Sequence, residues 1–251
     1  MSRSDLQVDG DGRIVILTGA GISVESDIDT FRGKGGIWER NSIEDVATPE
    51  GFERDPVRVQ NFYNAHRSAL AAPDIQSNAA HIALAELEQF LAERVLIVTQ
   101  NIDDLHERAG SKILIHMHGE LLKARCAVCN DVRPERGDLN SDSICQRSNG
   151  KGAMRPHVVW FGEMPLAEER IKQALENCAL FIYIGTSDSV YPAAGFVQEV
   201  RAAGGAHTVE LNLEPSLGGS QFAECHYRRA NRIVPEFITK IFAEYLQQPA
   251  S

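Results

Sequence analysis

The segment from Ile14 to Gly21 limits the fold more than any other part of the chain. Ile14, Val15, Ile16 and Leu17 run directly into Thr18-Gly19-Ala20-Gly21. So short an apolar run, closed by glycine, predicts a buried parallel strand rather than a helix. A strand entering a Gly-x-Gly turn is where an α/β fold opens a nucleotide site. Glycine lets the backbone approach a pyrophosphate, and the following N–H groups face the anion. The dinucleotide fingerprint of a dehydrogenase is nevertheless incomplete. Val24 stands where the third glycine belongs, and Asp27 to Gly33 is polar and glycine-bearing with no strand pattern. The phosphate turn is present; the second strand and acidic residue that complete the standard ribose site are not.

The rest of the chain alternates helices and strands. Asp55-Pro56 opens a helix, with Asp as cap and Pro at the first helical position, running to about Ala72. Ala80, Leu84, Leu87 and Leu91 keep one apolar face through a second helix. Arg94 to Thr99 and Lys112 to Ile115 read as strands, as do Leu180 to Ile184 and Thr208 to Leu211. Val158 to Glu163 reads as extended. Ala167 to Cys178, Ala193 to Ala203 and Pro235 to Gln247 read as helices. This order predicts a Rossmann-like, doubly wound parallel sheet. Polar clusters follow four of the strands, at Gly19 to Ser23, Gln100 to Asp103, Gly185 to Ser187 and Asn212 to Glu214. All four would lie at one edge of the sheet, where open α/β sheets bind ligands.

No apolar run approaches the roughly 20 residues that span a bilayer, and the N-terminus lacks a hydrophobic signal segment. A cytoplasmic, membrane-free protein is expected. The net charge of −10 argues against non-specific nucleic-acid binding and suits basic, lysine-bearing peptide partners. Five cysteines, an odd number, do not read as a disulfide framework. Cys126-x2-Cys129 and, fifteen residues on, Cys145-x2-Ser148 match a zinc-ribbon spacing except at the last position. Serine is a poor zinc ligand, so the fourth site falls to another side chain, to water, or to nothing.

Gly19-Ala20-Gly21-Ile22-Ser23-x-Glu25-Ser26-x-Ile28-x-Thr30-Phe31-Arg32-Gly33, followed by Gly36-Ile37-Trp38, closely resembles the NAD loop of the sirtuins, the NAD-dependent protein-lysine deacylases. Gln100-Asn101-Ile102-Asp103, His118-Gly119, Gly185-Thr186-Ser187 and Asn212-Leu213-Glu214 match further sirtuin motifs, so the resemblance covers nearly the whole chain. It implies a Rossmann-like large domain (about 1–26, 75–120 and 156–251). A small domain would combine a helical insertion (27–74) with a zinc-module-like part (121–155). It implies that an acyl-lysine carbonyl oxygen attacks C1′ of the nicotinamide ribose, giving nicotinamide, free lysine and O-acyl-ADP-ribose. His118 would be the base that takes a proton from the ribose hydroxyls, a task suited to imidazole.

By the same resemblance, Asn101 and Asp103 position ribose, water and the nicotinamide amide, and Gln100 meets the ribose hydroxyls. Arg32 contacts phosphate and Phe31 covers the reacting ribose. Gly19, Ala20, Gly21, Ile22, Glu25, Thr30, Trp38 and Ile102 complete that side of the NAD site. Gly185, Thr186, Ser187, Asn212, Leu213 and Glu214 hold the adenosine half, with Ala230 as a late contact to adenine. Val159, Phe161, Gly162 and Glu163 resemble the edge where the substrate backbone adds as a strand. Cys126, Cys129 and Cys145 would hold a structural zinc. Asp27 and Asp29 depart from the commoner Gly and Pro of the loop. Sirtuins that remove succinyl and malonyl groups carry Tyr-x-x-Arg in the acyl pocket; here Tyr63 is followed by His66 and then Arg67, leaving either as a carboxylate partner. A mono-ADP-ribosyltransferase and a non-catalytic NAD or ADP-ribose sensor are the competing readings.

Overall fold

The computed structural model describes residues 12–31, 36–148, 154–187 and 189–247. The strands are β1 (Arg13–Thr18), β2 (Val95–Thr99), β3 (Leu114–His116), β4 (Gly119–Cys126), β5 (Val132–Pro134), β6 (Met154–Val158), β7 (Cys178–Ile184), β8 (His207–Asn212) and β9 (Glu224–Tyr227). The helices are α1 (Ile37–Arg40), α2 (Ile43–Val46), α3 (Pro49–Arg54), α4 (Pro56–Leu70), α5 (Ala79–Leu91), α6 (Leu105–Ala109), α7 (Glu168–Glu176), α8 (Phe196–Ala203) and α9 (Ala230–Gln247). Six strands form one parallel sheet in the order β3-β2-β1-β7-β8-β9. The chain winds outward on one side of β1 through β2 and β3, then crosses to β7 and winds outward on the other. The crevice between β1 and β7 is therefore the topological switch point.

The apolar run of β1 fits this central place because both its faces are covered. Ile14 and Ile16 pack on α5 and α9, while Val15 and Leu17 pack on α7 and α8. All four side chains are fully buried. The last helix starts five residues before the expected Pro235, which sits inside it. An interior proline normally breaks a helix by removing one hydrogen bond and crowding the preceding turn. Here Ile233, Val234, Phe237, Ile238 and Ile241 are all at most 5% exposed in the core, and that burial holds the helix through the proline.

A separate antiparallel sheet, β5-β4-β6, carries the cysteines. Its core of Ala124, Cys126, Leu139, Cys145 and Met154 is too small to stand alone. Helix α4 braces it. Asp55 caps α4 by accepting from the Arg58 N–H, with Pro56 in the first turn, as expected. Gln60, Asn64 and Arg67 share one face of the helix. Gln60 donates to Met154 O (3.1 Å), and Asn64 both donates to Leu139 O (2.8 Å) and accepts from Leu139 N (2.9 Å).

Arg67 is a correction. It does not face the cleft: it is 1% exposed, with Nε donating to Leu121 O (3.1 Å) and Nη1 to Gly137 O (3.1 Å) and Asn64 Oδ1 (2.9 Å). The register of α4 turns position 67 toward backbone carbonyls that need donors. The extended reading of Val158 to Glu163 also holds only in part. β6 stops at Val158, and Glu163 N closes a turn on Trp160 O (3.0 Å) through Gly162 at φ +90.

Candidate functional site

Around the switch point lies a cleft of about 970 Å³. Its first wall is the turn after β1, which forms two 3-10 turns, Ala20–Ile22 and Val24–Ser26. Gly21 and Gly185 press together. A Cβ on Gly21 would meet Gly185 Cα and O at 2.7 Å, so no side chain fits. The expectation that N–H groups of this turn face an anion does not hold for four of them. Gly19 N donates to Ile184 O (2.9 Å) and Gly21 N to Gly185 O (2.7 Å), while Ile22 N and Ser23 N bond within the turn. The glycines stitch the two switch loops together and thereby shape the cleft. Asp27 does adopt φ 58, a conformation that Asp tolerates better than most residues. The Asp29 carboxylate pairs with Arg40, so it is partly neutralised.

Gly19, Ala20, Gly21, Glu25, Thr30, Phe31, Trp38, Gln100, Asn101, Ile102 and His118 line the cleft. On the β7 and β8 side they are joined by Gly185, Thr186, Ser187, Asn212, Leu213, Glu214 and Ala230. Three bonds cross-link these loops: Gln100 Nε2 to Thr186 Oγ1 (2.9 Å), Asn212 Nδ2 to Thr186 O (2.7 Å), and Asn231 N to Glu25 Oε2 (3.4 Å). Ile22 lies in the core behind the turn. Arg32 lies outside the described residues.

Asp103 does not line the cleft; it sits in the layer beneath, 8% exposed. It accepts from Ser23 Oγ (3.1 Å) and Leu105 N (3.1 Å), and burial pushes its carboxyl above the usual carboxylate range. Asn101 Nδ2 donates to the same Ser23 oxygen (3.2 Å). His81 Nε2 lies 3.4 Å from it, while His81 Nδ1 accepts from Asn78 N in the capping box of α5. That box fixes Nε2 as the donor, and burial depresses the His81 pKa to about 4, so the ring stays neutral. The Ser23 hydroxyl thus receives two donors and gives its own proton to Asp103. Sequence reasoning left Ser23 and His81 without a role; Ser23 stood inside the quoted loop, while no motif or spacing marked His81.

His118 follows β3. Its Nδ1 lies 3.1 Å from Gln100 O, and burial lowers its pKa although the carbonyl opposes this. A neutral ring donating Nδ1–H to that carbonyl keeps a lone pair on Nε2, the form that accepts a proton.

Val159, Phe161, Gly162 and Glu163 line the far end of the cleft with Tyr63. Val159 N donates to His118 O (2.8 Å), Phe161 N to Ala47 O (3.0 Å), and Trp160 N to Glu163 Oε2 (2.8 Å). With Glu163 N in its turn, the N–H groups of Val159, Trp160, Phe161 and Glu163 are taken, and that of Gly162 is not among them. Glu163 is further held by Arg155 (2.7 Å) and Arg125 (3.0 Å). Tyr63 Oη accepts from Trp160 Nε1 (3.0 Å), which leaves its own O–H able to donate. His66 is not among the cleft-lining residues. Its Nδ1 sits 2.7 Å from Phe62 O and its ring lies against the Phe62 ring.

Away from the cleft, the sulfurs of Cys126, Cys129 and Cys145 lie within 4.8 Å of one another. Cys129 and Cys145 Sγ are 3.6 Å apart, too far for a disulfide and close to the roughly 3.8 Å between two ligands on tetrahedral zinc. Val128 N (3.4 Å) and Cys129 N (3.5 Å) both point at Cys126 Sγ. Ser148 Oγ is 3.8 Å from Cys126 Sγ and donates to Cys145 O (3.4 Å). The three thiols fit a zinc ion. Among the described residues no helix is long and apolar enough to cross a membrane.

The sequence profile of the Sir2 family matches residues 19–192. An NAD-dependent protein deacylase of Salmonella typhimurium is 58% identical over 228 residues, covering 91% of this chain and 83% of the relative. A Sir2 homologue solved as an NAD complex superposes with TM-score 0.82 at 34% identity, over 94% of this chain and 92% of that one. A Sir2 protein bound to a myristoylated histone peptide superposes with TM-score 0.70 at 28% identity, over 94% and 93% of the two chains.

Proposed function

The chain belongs to the Sir2 family, and from that premise we infer that it is an NAD-dependent protein-lysine deacylase. The observation that carries the reading is His118, neutral by burial and held by Nδ1 so that Nε2 is basic, in the wall of a cleft at the switch point. NAD supplies the ribose that takes up the acyl group and leaves as O-acyl-ADP-ribose, with nicotinamide released. His118 takes the ribose hydroxyl proton. Asn101, in the cleft wall, orients the nicotinamide amide and ribose, and Asp103 steadies it from the layer beneath through Ser23. Thr186, Ser187, Asn212 and Glu214 hold the adenosine end. We read the six-stranded sheet with its covering helices as the large domain, and 27–74 with 121–155 as the small one, the peptide lying between them. Free cysteines suit a reducing, cytoplasmic setting.

Mass spectrometry of the protein with NAD and an acetyl-lysine peptide tests this reading. Nicotinamide and deacylated peptide should form together. Nicotinamide with an ADP-ribosylated acceptor would indicate a transferase, and NAD binding without turnover a sensor.

Acyl range turns on the helix beside the cleft. Tyr63 can donate one hydrogen bond to an acyl carboxylate, and a guanidinium at position 66 would add a charged fork. With histidine there, acetyl is the better substrate and succinyl the poorer. His66→Arg is expected to raise the succinyl/acetyl ratio at pH 8 by about 10- to 150-fold, the equivalent of one hydrogen bond to a charged group. A ratio left unchanged would show that position 66 does not read the acyl group.

Zinc, in this reading, is structural and held by Cys126, Cys129 and Cys145. Purified protein should then carry about one zinc per chain, released with loosening of the small sheet. Ser148→Cys should slow its loss to a chelator. Elemental analysis finding no zinc in active protein would mark the cluster as a relic.

A further inference from the structure

His116 and His118 stand on either side of the buried Met117, where β3 ends. Each turns Nδ1 to a carbonyl of the loop after β2, at 3.1 Å: His116 to Asn101 O and His118 to Gln100 O. Together they grip successive peptide groups of the loop whose side chains line the cleft.

Their far nitrogens differ. His118 has no second acceptor among the described residues. His116 Nε2 meets Glu107 Oε1 at 2.8 Å. A neutral imidazole has one N–H, so a neutral His116 would turn a lone pair on either the carbonyl or the carboxylate. Only the imidazolium donates to both. The side chain is 8% exposed, which strengthens whichever arrangement it adopts. Glu107 comes from α6. Glu120, on β4, also faces the ring and is itself paired with Lys123 (2.7 Å). Asp103 lies beneath the loop, and His106 is kept neutral by burial. Burial of His116 opposes its charge, but Glu107, the Asn101 carbonyl and Glu120 outweigh it and leave its pKa raised.

We propose that His116, as an imidazolium paired with Glu107, is a positioning residue that fixes the Asn101 carbonyl and so the Gln100–Asn101 loop beside His118. The inference rests on the deacylase reading for its kinetic consequence. His118 must be neutral and His116 charged, so the two histidines bound the active pH range. The limb on the acid side follows His118. The limb on the alkaline side follows His116, because a group with a raised pKa loses its contribution as pH rises through that pKa.

The experiment compares kcat and KM from about pH 6 to pH 10 for wild type, His116→Ala, His116→Asn and Glu107→Gln. His116→Ala should lower kcat by about 10- to 100-fold, as expected for a misplaced loop, with little change in KM for the peptide. His116→Asn, whose amide N–H can replace Nδ1–H, should recover most of the rate and lack the alkaline limb. Glu107→Gln should move that limb to lower pH. An alkaline limb unchanged in His116→Asn and Glu107→Gln would overturn the proposal. So would equal damage in the alanine and asparagine variants, which would mark a purely structural role. Imidazole ¹⁵N spectra judge the charge without any assay: a neutral His116 at pH 7 in wild type would overturn the proposal even in an active enzyme. Absence of deacylation in wild type would instead count against the deacylase reading.

Discussion

Replacing His118 with alanine is expected to lower deacylation by about 10²- to 10⁴-fold, the usual contribution of a positioned general base, while NAD still binds. Binding should survive because the turns at Gly19 to Gly21 and Gly185 to Ser187 are held by bonds that do not involve the imidazole. The pH profile carries the same assignment. Burial lowers the His118 pKa, so the base form is present above that lowered value and the limb that His118 sets lies on the acid side of the profile. Single-turnover kinetics with an acetyl-lysine peptide separate this from weaker binding. A variant that keeps half the wild-type rate would remove His118 from the chemistry.

The second large effect concerns stability. Arg67→Met should cost about 1–3 kcal/mol, because Leu121 O loses its Arg67 donor in a buried place, while Gly137 O is partly open to water and Asn64 Oδ1 keeps the Leu139 N–H. The methionine fills much of the volume but offers no N–H. Urea unfolding measures the loss, and the succinyl/acetyl ratio of the surviving folded enzyme should not change. Near-wild-type stability together with collapse of succinyl turnover would return Arg67 to the acyl pocket.

The difference between what the sequence disclosed and what it hid follows from the range of the interactions. β1, the Gly-x-Gly turn and the cap at Asp55 are specified within a few neighbouring residues, so a local reading reaches them. β4 and β9 are not, because their residues are half polar and are ordered by pairing with distant strands. Pro235 misleads for the same reason: its local signal is a helix start, and the core overrides it. At the site, residue types exposed His118 and the loop ends. Ser23, His81 and His116 work through partners 9 to 80 residues away, and spacing carries no sign of such bonds. Arg67 was ambiguous until the register of α4 was known, since neighbours 66 and 67 point about 100° apart.

Helix α4 divides its duties by face. Positions 60, 64 and 67 are committed to backbone carbonyls and an amide of the cysteine-bearing sheet. Tyr63, by contrast, reaches the cleft. Backbone partners cannot be changed by substituting a side chain elsewhere, so the anchoring face has little freedom to drift. His66 makes its bond to the carbonyl of Phe62 on its own helix and braces no distant segment. A mutation there leaves the scaffold standing. Position 66 can therefore change without a compensating repair elsewhere in the fold, whereas a change at 60, 64 or 67 needs one.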